Sequence, residues 1–359
     1  MLQRGVGVTG HYLPVEVDTA LWGRLPAAHD AWVLELDSGD EVTIDTLSHE
    51  GILEDQGRDP IRFFGGHGVD PDQVLAEAVE IAASTGLRNP AVDGPHVISA
   101  PIRVRGAQPG DLLRVTVLQT RQRVPYGVIT NRHGKGALPG EYPLGEGNYS
   151  VFARAVERDG ADYGELPITA DADAPSVRFP LAPFLGIMGV AVAGDERPHS
   201  VPPGPHGGNI DIKLLTEGSS LLLPVQVPGA LAYVGDPHFA QGDGEVALTA
   251  MEASLRVRLR LEVLSQDEAL AEFGALAGPL IETTEFLVPT GLDPDLDAAM
   301  RACVRAAIAL LGARWGLSPQ HALAYLSAAT DFNVSQVVDQ VTGVHARVRK
   351  ADFAHLGRG

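Results

Sequence analysis

The stretch at residues 245–264, EVALTAMEASLRVRLRLEVL, decides the fold class. Its second half alternates without a break: Leu255, Val257, Leu259, Leu261 and Val263 against Arg256, Arg258, Arg260 and Glu262. A period of two belongs to a strand, because a helix would scatter these side chains around its axis. The pattern predicts one buried face and one wet face carrying the arginines. Working outward, VRFPL, LGIMGVAVA, SLLLPVQV and ALAYV read as further strands. AWVLELDSGDEVTIDTLS and ISAPIRVRGAQPGDLLRVTVLQTR each hold two apolar runs parted by turn residues, so each predicts a hairpin.

Helical spacing is confined to three places: residues 72–85 (DQVLAEAVEIAAST), 294–315 (PDLDAAMRACVRAAIALLGARW) and 318–329 (SPQHALAYLSAA). VSQVVDQ and VHARVRK then read as closing strands. Grouped helices among many strands imply an α+β, mainly β chain, built on an antiparallel β-sandwich or jelly-roll-like scaffold with an α+β C-terminal part. Three stretches follow, read as one intertwined unit: a β-rich 1–180, a central 181–264 and an α+β 265–359.

With 27 Lys and Arg against 46 Asp and Glu, the formal charge is −19. Such a surface repels phosphate backbones and anionic lipid, so no nucleic acid and no membrane partner is expected. Cys303 is the single cysteine, within an apolar helical pattern, which excludes an intrachain disulfide and suits packing better than nucleophilic work. No signal-type segment opens the sequence, and the expected location is cytoplasmic.

The chemistry gathers at residues 201–252. His206-Gly207-Gly208-Asn209, with Asp211 two residues on, forms one Gly-rich turn, and GDPHFAQGDGE (235–245) adds His238, Gln241, Asp243 and Glu245. Consecutive glycines can turn backbone N–H groups toward a cavity, while imidazole and carboxylate suit a divalent metal or a general base. Ordinary Gly-rich hairpin loops remain the alternative for either turn. Ser48-His49-Glu50, the segment ending in His96, and His133 in a long loop are further candidates, with surface histidines as the alternative. No Gly-x-Ser-x-Gly elbow or Ser-Ser-Lys arrangement is present, which leaves metal-activated water as the economical nucleophile.

VPPGPHGGNID, GDPHFAQGDGEVALTAMEA, DGPHVISAPIRVRGAQPGDLLRVTVL, FLGIMGVAVAG and YLSAATDFNVSQVVDQVTGVHARVRKADF together resemble the acetamidase/formamidase family. The resemblance implies hydrolysis of a short linear amide at a metal centre, zinc first and calcium as a second ion, in a homo-oligomer. It places His206, Asn209, Asp211, His238, Gln241 and Glu245 in the family's motifs. On this basis the expected metal ligands are several of Glu50, His96, Asp211 and His238, although many members of the family have other residues at Ser48-His49-Glu50 and His96. Glu245 is expected to shuttle the proton, His206 with Gly207 and Gly208 to hold the oxyanion, and Gln241 or Asn209 to orient the amide. Two other readings stay open: hydrolysis of a larger carboxamide or cyclic imide, and a non-catalytic metal-containing binding sandwich.

Overall fold

The computed structural model describes residues 1–171 and 174–356. Two sheets dominate it. The first has nine strands in the spatial order His11–Leu13, Glu41–Asp45, Leu255–Leu264, Leu112–Gln122, Ser220–Pro224, Leu280–Glu282, Phe286–Asp293, Thr342–Arg349 and Asp331–Gln336. All its pairings are antiparallel except the parallel one between His11–Leu13 and Glu41–Asp45. The second runs Ser176–Pro180, Ala161–Pro167, Asn148–Arg158, Tyr126–Arg132, Met251–Glu252, Tyr233–Ala240, Phe184–Gly189 and Gly207–Asn209, with Leu21–Trp22 and Val97–Ile98 attached to the side.

The period of two explains how these layers stack. Leu221 and Leu223 join Val257, Leu259, Leu185, Met188 and Val234 in the cluster shared by both sheets. Leu222, between them, points the other way and packs with Phe273, Leu310, Leu311 and Leu326. Those four come from the helices Gln266–Phe273, Leu296–Trp315 and Pro319–Ala329, which cover the outer face of the first sheet. A strand buried on both faces needs a continuous apolar run, and SLLLP supplies one. The chain is mainly β within the α+β class.

Several local expectations differ from this. Leu34–Leu36 does not pair with Glu41–Asp45 but runs parallel to Ile102–Val104, so neither expected hairpin forms. The turn at Ser38 is present, yet Gly39 N–H donates to Leu261 O at 2.7 Å and Ser38 Oγ accepts from Val263 N–H at 2.9 Å, so the turn caps a distant strand. The run at 245–264 is broken: Met251–Glu252 belongs to the second sheet and Leu255–Leu264 to the first. Arg256 is not on a wet face; it is 5% exposed and bound to Asp45 at 2.5 Å. The helix Gln266–Phe273 was unforeseen, although Ser265 and Glu268 form the capping box that announces it.

Candidate functional site

GDPH lies inside the strand Tyr233–Ala240, not in a turn. Asp236 and His238 are two residues apart and so share a side, and Glu252 pairs directly opposite His238 on the neighbouring strand. His238 Nε2 lies 3.0 Å from Asp236 Oδ2 and 3.1 Å from Glu252 Oε1. Loops from elsewhere complete the cluster. His49 Nδ1 lies 3.5 Å from Asp236 Oδ1 and 3.9 Å from Glu252 Oε2, and His96 Nε2 lies 3.7 Å from Asp236 Oδ1. Asp236 therefore offers one oxygen to the pair His49 and His96, and the other to His238. On the far side of His238, Asp211, Glu245 and Asp339 bring more buried carboxylates.

Each of the three imidazoles is tied at its outer nitrogen by a different group. His49 Nε2 meets Glu50 Oε1 at 3.3 Å, and His96 Nδ1 meets Ser200 Oγ at 2.9 Å. His238 Nδ1 meets Gln241 Oε1 at 3.1 Å. The Gln241 amide nitrogen is claimed by two carbonyls, Asp211 O at 2.8 Å and Ser335 O at 3.3 Å, so its oxygen must face His238. That oxygen can only accept, so Nδ1 of His238 carries the proton and Nε2 is turned to the carboxylates. Such outer partners orient metal-ligating imidazoles in general.

The protonation pattern follows from the crowding. Burial disfavours a charged His49, but Asp236 and Glu50 outweigh it and push the imidazole up to about 10. Burial drives His96 down to about 3 against the pull of Asp236. Burial likewise disfavours the Asp236 carboxylate, yet the imidazoles of His96 and His238 hold it well below the usual range. Glu245 is raised well above it, by burial first and then by the charge of Asp211, and Asp339 is raised by burial and Glu245. Asp211, Asp236 and Glu245 also share a backbone oddity: φ is 47°, 51° and 46°, in the left-handed region that costs a residue with a Cβ about 1 kcal/mol or more. Gly186 forms the floor; a Cβ there would lie 2.4 Å from Asp211 Oδ1 and 2.7 Å from Asp236 Oδ2.

The fit to a divalent cation rests on atoms left over. His49 Nδ1, Asp236 Oδ1 and Glu252 Oε2 are buried and converge, and among the described residues neither they nor the two carboxylate oxygens of Asp211 have a hydrogen-bond partner. A buried polar atom without a partner costs about 1–3 kcal/mol, more when charged. Several in one place are best accounted for by an ion. The groups whose ligand atoms lie within 4.8 Å of one another are His49, His96 and Asp236; Asp236, His238 and Glu252; and Asp211, His238 and Glu245. Each contains imidazole, which favours zinc-type ions over the all-oxygen shell of calcium.

Of the residues expected from sequence, His96, Asp211, His238 and Glu245 come together here. Glu50 does not offer itself as a ligand. Its oxygens are taken by Gln56, Thr130, His49 and Arg132, with Arg132 at 3.2 Å, and the arginine and His49 hold it down at about 2 against burial. Its neighbour His49 is the one whose Nδ1 faces Asp236 Oδ1, at 3.5 Å. Gln241 is likewise engaged with His238 and not turned to a substrate. Gly207 N–H donates to Gly204 O at 3.0 Å within the strand Gly207–Asn209, so it is not free to hold an oxyanion. His206 and Gly208 lie beside it, outside the cavity wall. Asn209 does line the cavity, and its buried Oδ1 has no partner among the described residues. His133 is exposed, and Asp243 is occupied by Lys213 and Asn333, both at 3.1 Å. Asp236, Glu252 and Asp339 were missed. Asp236 was legible in principle, two residues before His238 in a strand.

The cavity that reaches these groups measures about 770 Å³, and Arg132, Lys135 and His199 also line it. The acetamidase/formamidase family profile matches residues 76–197 and 192–348 of the chain. The chain belongs to this family. An acetamidase of Mycolicibacterium smegmatis is 32% identical over 42% of this family member and 49% of its own length. A formamidase of Methylophilus methylotrophus is 31% identical over 42% and 47%. The chain spans about half the length of the curated relatives it matches. The crystal structure of an acetamidase from Bacillus halodurans superposes on it with a TM-score of 0.73 at 26% identity, covering 96% of this chain and 99% of that one. A gamma lactamase from Delftia acidovorans is similar in fold alone, with a TM-score of 0.54 at 20% identity over 95% and 93%.

Proposed function

We propose that the chain hydrolyses a linear carboxamide to a carboxylate and ammonia at a divalent-metal centre, zinc being the first expectation. The convergence of unpartnered atoms on His49, Asp236 and Glu252 carries this reading. His49, His96 and Asp236 would hold one ion, and Asp236, His238 and Glu252 offer a second set that shares Asp236. When bound, such an ion lowers the pKa of water and polarises a carbonyl.

The remaining work falls to side chains. Asn209 Oδ1, buried in the cavity wall without a partner, accepts a hydrogen bond from the substrate's NH₂ and so orients the amide. Glu245 lines the same wall and takes the proton given up by the attacking water. It then passes that proton to the leaving nitrogen, so the C–N bond breaks with ammonia, not an amide anion, departing. Burial, and then Asp211, raise Glu245 well above the usual carboxylate range, which makes it a stronger base toward the attacking water. A merely ligand-binding sandwich would have no use for that raised carboxyl.

The supporting context is modest. No helix among the described residues is long and apolar enough to cross a membrane. The single thiol, Cys303, is buried, which accords with a cytoplasmic setting. A homo-oligomer is the assembly that the family leads us to expect.

The test is elemental analysis with ammonia release from formamide and acetamide, before and after chelation. Activity is expected to vanish with the metal and return with zinc. Full activity in verified metal-free protein would sink the metal centre, and no ammonia from any amide would sink the reaction.

A further inference from the structure

The cavity is much larger than formamide or acetamide requires. At about 770 Å³ it falls in the upper half of the range, roughly 300–1,000 Å³, of pockets that enclose far bigger ligands.

The cations that line it are not equivalent. Arg132 is taken by Glu50 at 3.2 Å and Asp55 at 2.6 Å. Arg88 is held by Glu54 and by Gly94 O. Asp93, the other acid of this wall, is matched by Arg24 at 2.6 Å. Lys135 differs: it lines the cavity, and among the described residues its ammonium has no ion pair and no hydrogen bond.

Lys135 is also held in place. Its own N–H donates to Arg132 O at 3.0 Å, Ala137 N–H donates to Val246 O at 2.9 Å, and Asn131 Nδ2 donates to Ala247 O at 2.7 Å. Gly136, at φ 81°, presses so closely that a Cβ would meet Asn131 Nδ2 at 2.9 Å and Ala247 O at 3.2 Å. The lysine loop is thereby fastened to the segment that begins at Glu245. His199 lines the same cavity, and the Lys135 charge reaches it. Its Nδ1 accepts from Val201 N–H at 3.1 Å, so the neutral ring keeps its proton on Nε2 as a second donor.

We propose that Lys135, assisted by His199, binds a carboxylate at the far end of the substrate, making the preferred amides the monoamides of short dicarboxylic acids. This rests on the amide-hydrolase reading above. Position gives the orientation: Lys135 is exposed while Asp236 and Glu252 are buried, so an anionic tail held by the lysine stays at the outer end of the cavity and the amide end enters first.

The experiment compares kcat/KM of the metal-loaded protein for the monoamide of succinic acid and for neutral butyramide, in the parent, K135M and K135R. The parent is expected to favour the anionic amide by about tenfold or more, the range of a charge-assisted hydrogen bond. K135M should lower the ratio of the two by a similar factor, mainly through KM, and K135R should restore most of it. High salt should shrink the parent's preference. Equal kcat/KM for the two amides in the parent, or a ratio unmoved by K135M, overturns the tail site and leaves amide hydrolysis standing. Ammonia from neither amide overturns both.

Discussion

Arg123 and His238 are both fully buried, and both sit among carboxylates, yet their surroundings are balanced in different ways. Arg123 bonds Glu77, lies 3.5 Å from Asp45 Oδ2, and donates to Thr46 O at 3.2 Å and Leu2 O at 3.0 Å. Arg256 binds the same Asp45 at 2.5 and 2.9 Å. Two cations thus meet two acids, and Glu77 Oε2 is the one buried side-chain atom of the four without a partner among the described residues. Around His238 the acids outnumber what three imidazoles can match, and unpartnered atoms face one another. Buried charge that is matched holds a fold together, whereas buried charge with an excess of one sign calls for a ligand.

The sharpest way to break this contrast is Asp236→Asn. Asp236 touches both imidazole sets, so metal content should collapse and turnover fall by on the order of 10³-fold or more, about 4 kcal/mol of barrier, with the β spectrum kept. Unchanged metal by elemental analysis would remove Asp236 from the centre. Arg123→Met should do the reverse. It leaves Glu77 and Asp45 buried with less counter-charge, which costs about 3–5 kcal/mol of stability in a denaturant titration. Metal per folded molecule should stay the same, and a variant that loses metal while keeping its stability would erase the distinction. The mildest changes are Ser200→Ala and Gln241→Leu, which release His96 and His238 from their outer partners. Metal affinity, measured by chelator competition, should weaken about 10–100-fold in each. No weakening would mean that these partners merely fill space.

How much of this was legible depends on how far the deciding contacts lie along the chain. Alternation in Leu255–Leu264 marked a strand correctly, because the period is a local property. The hairpins failed because the turn at Ser38 caps Val263, 225 residues away, and no local signal gives that partner. In the site, Asp211, His238 and Glu245 stood out in short Gly-rich motifs. Asp236 was hidden because Asp-Pro is a turn signal, although the chain carries it through a strand. Asp339 lay in VVDQ, which read as strand, and comes to Glu245 only through the fold. His49 and Glu50 are adjacent and both chemically apt; only the arginine beside Glu50 assigns their roles.

The left-handed backbone at Asp211, Asp236 and Glu245 bears on anyone who would make this protein sturdier. Glycine relaxes that conformation at all three, and at Asp211 and Glu245 it also relieves acids crowded against one another, so selection for heat resistance alone should be drawn to those two positions. Variants gathered that way would outlast the parent in a melting assay and release no ammonia. Durability and turnover compete for these two residues, and a screen that scores only survival will empty that side of the site.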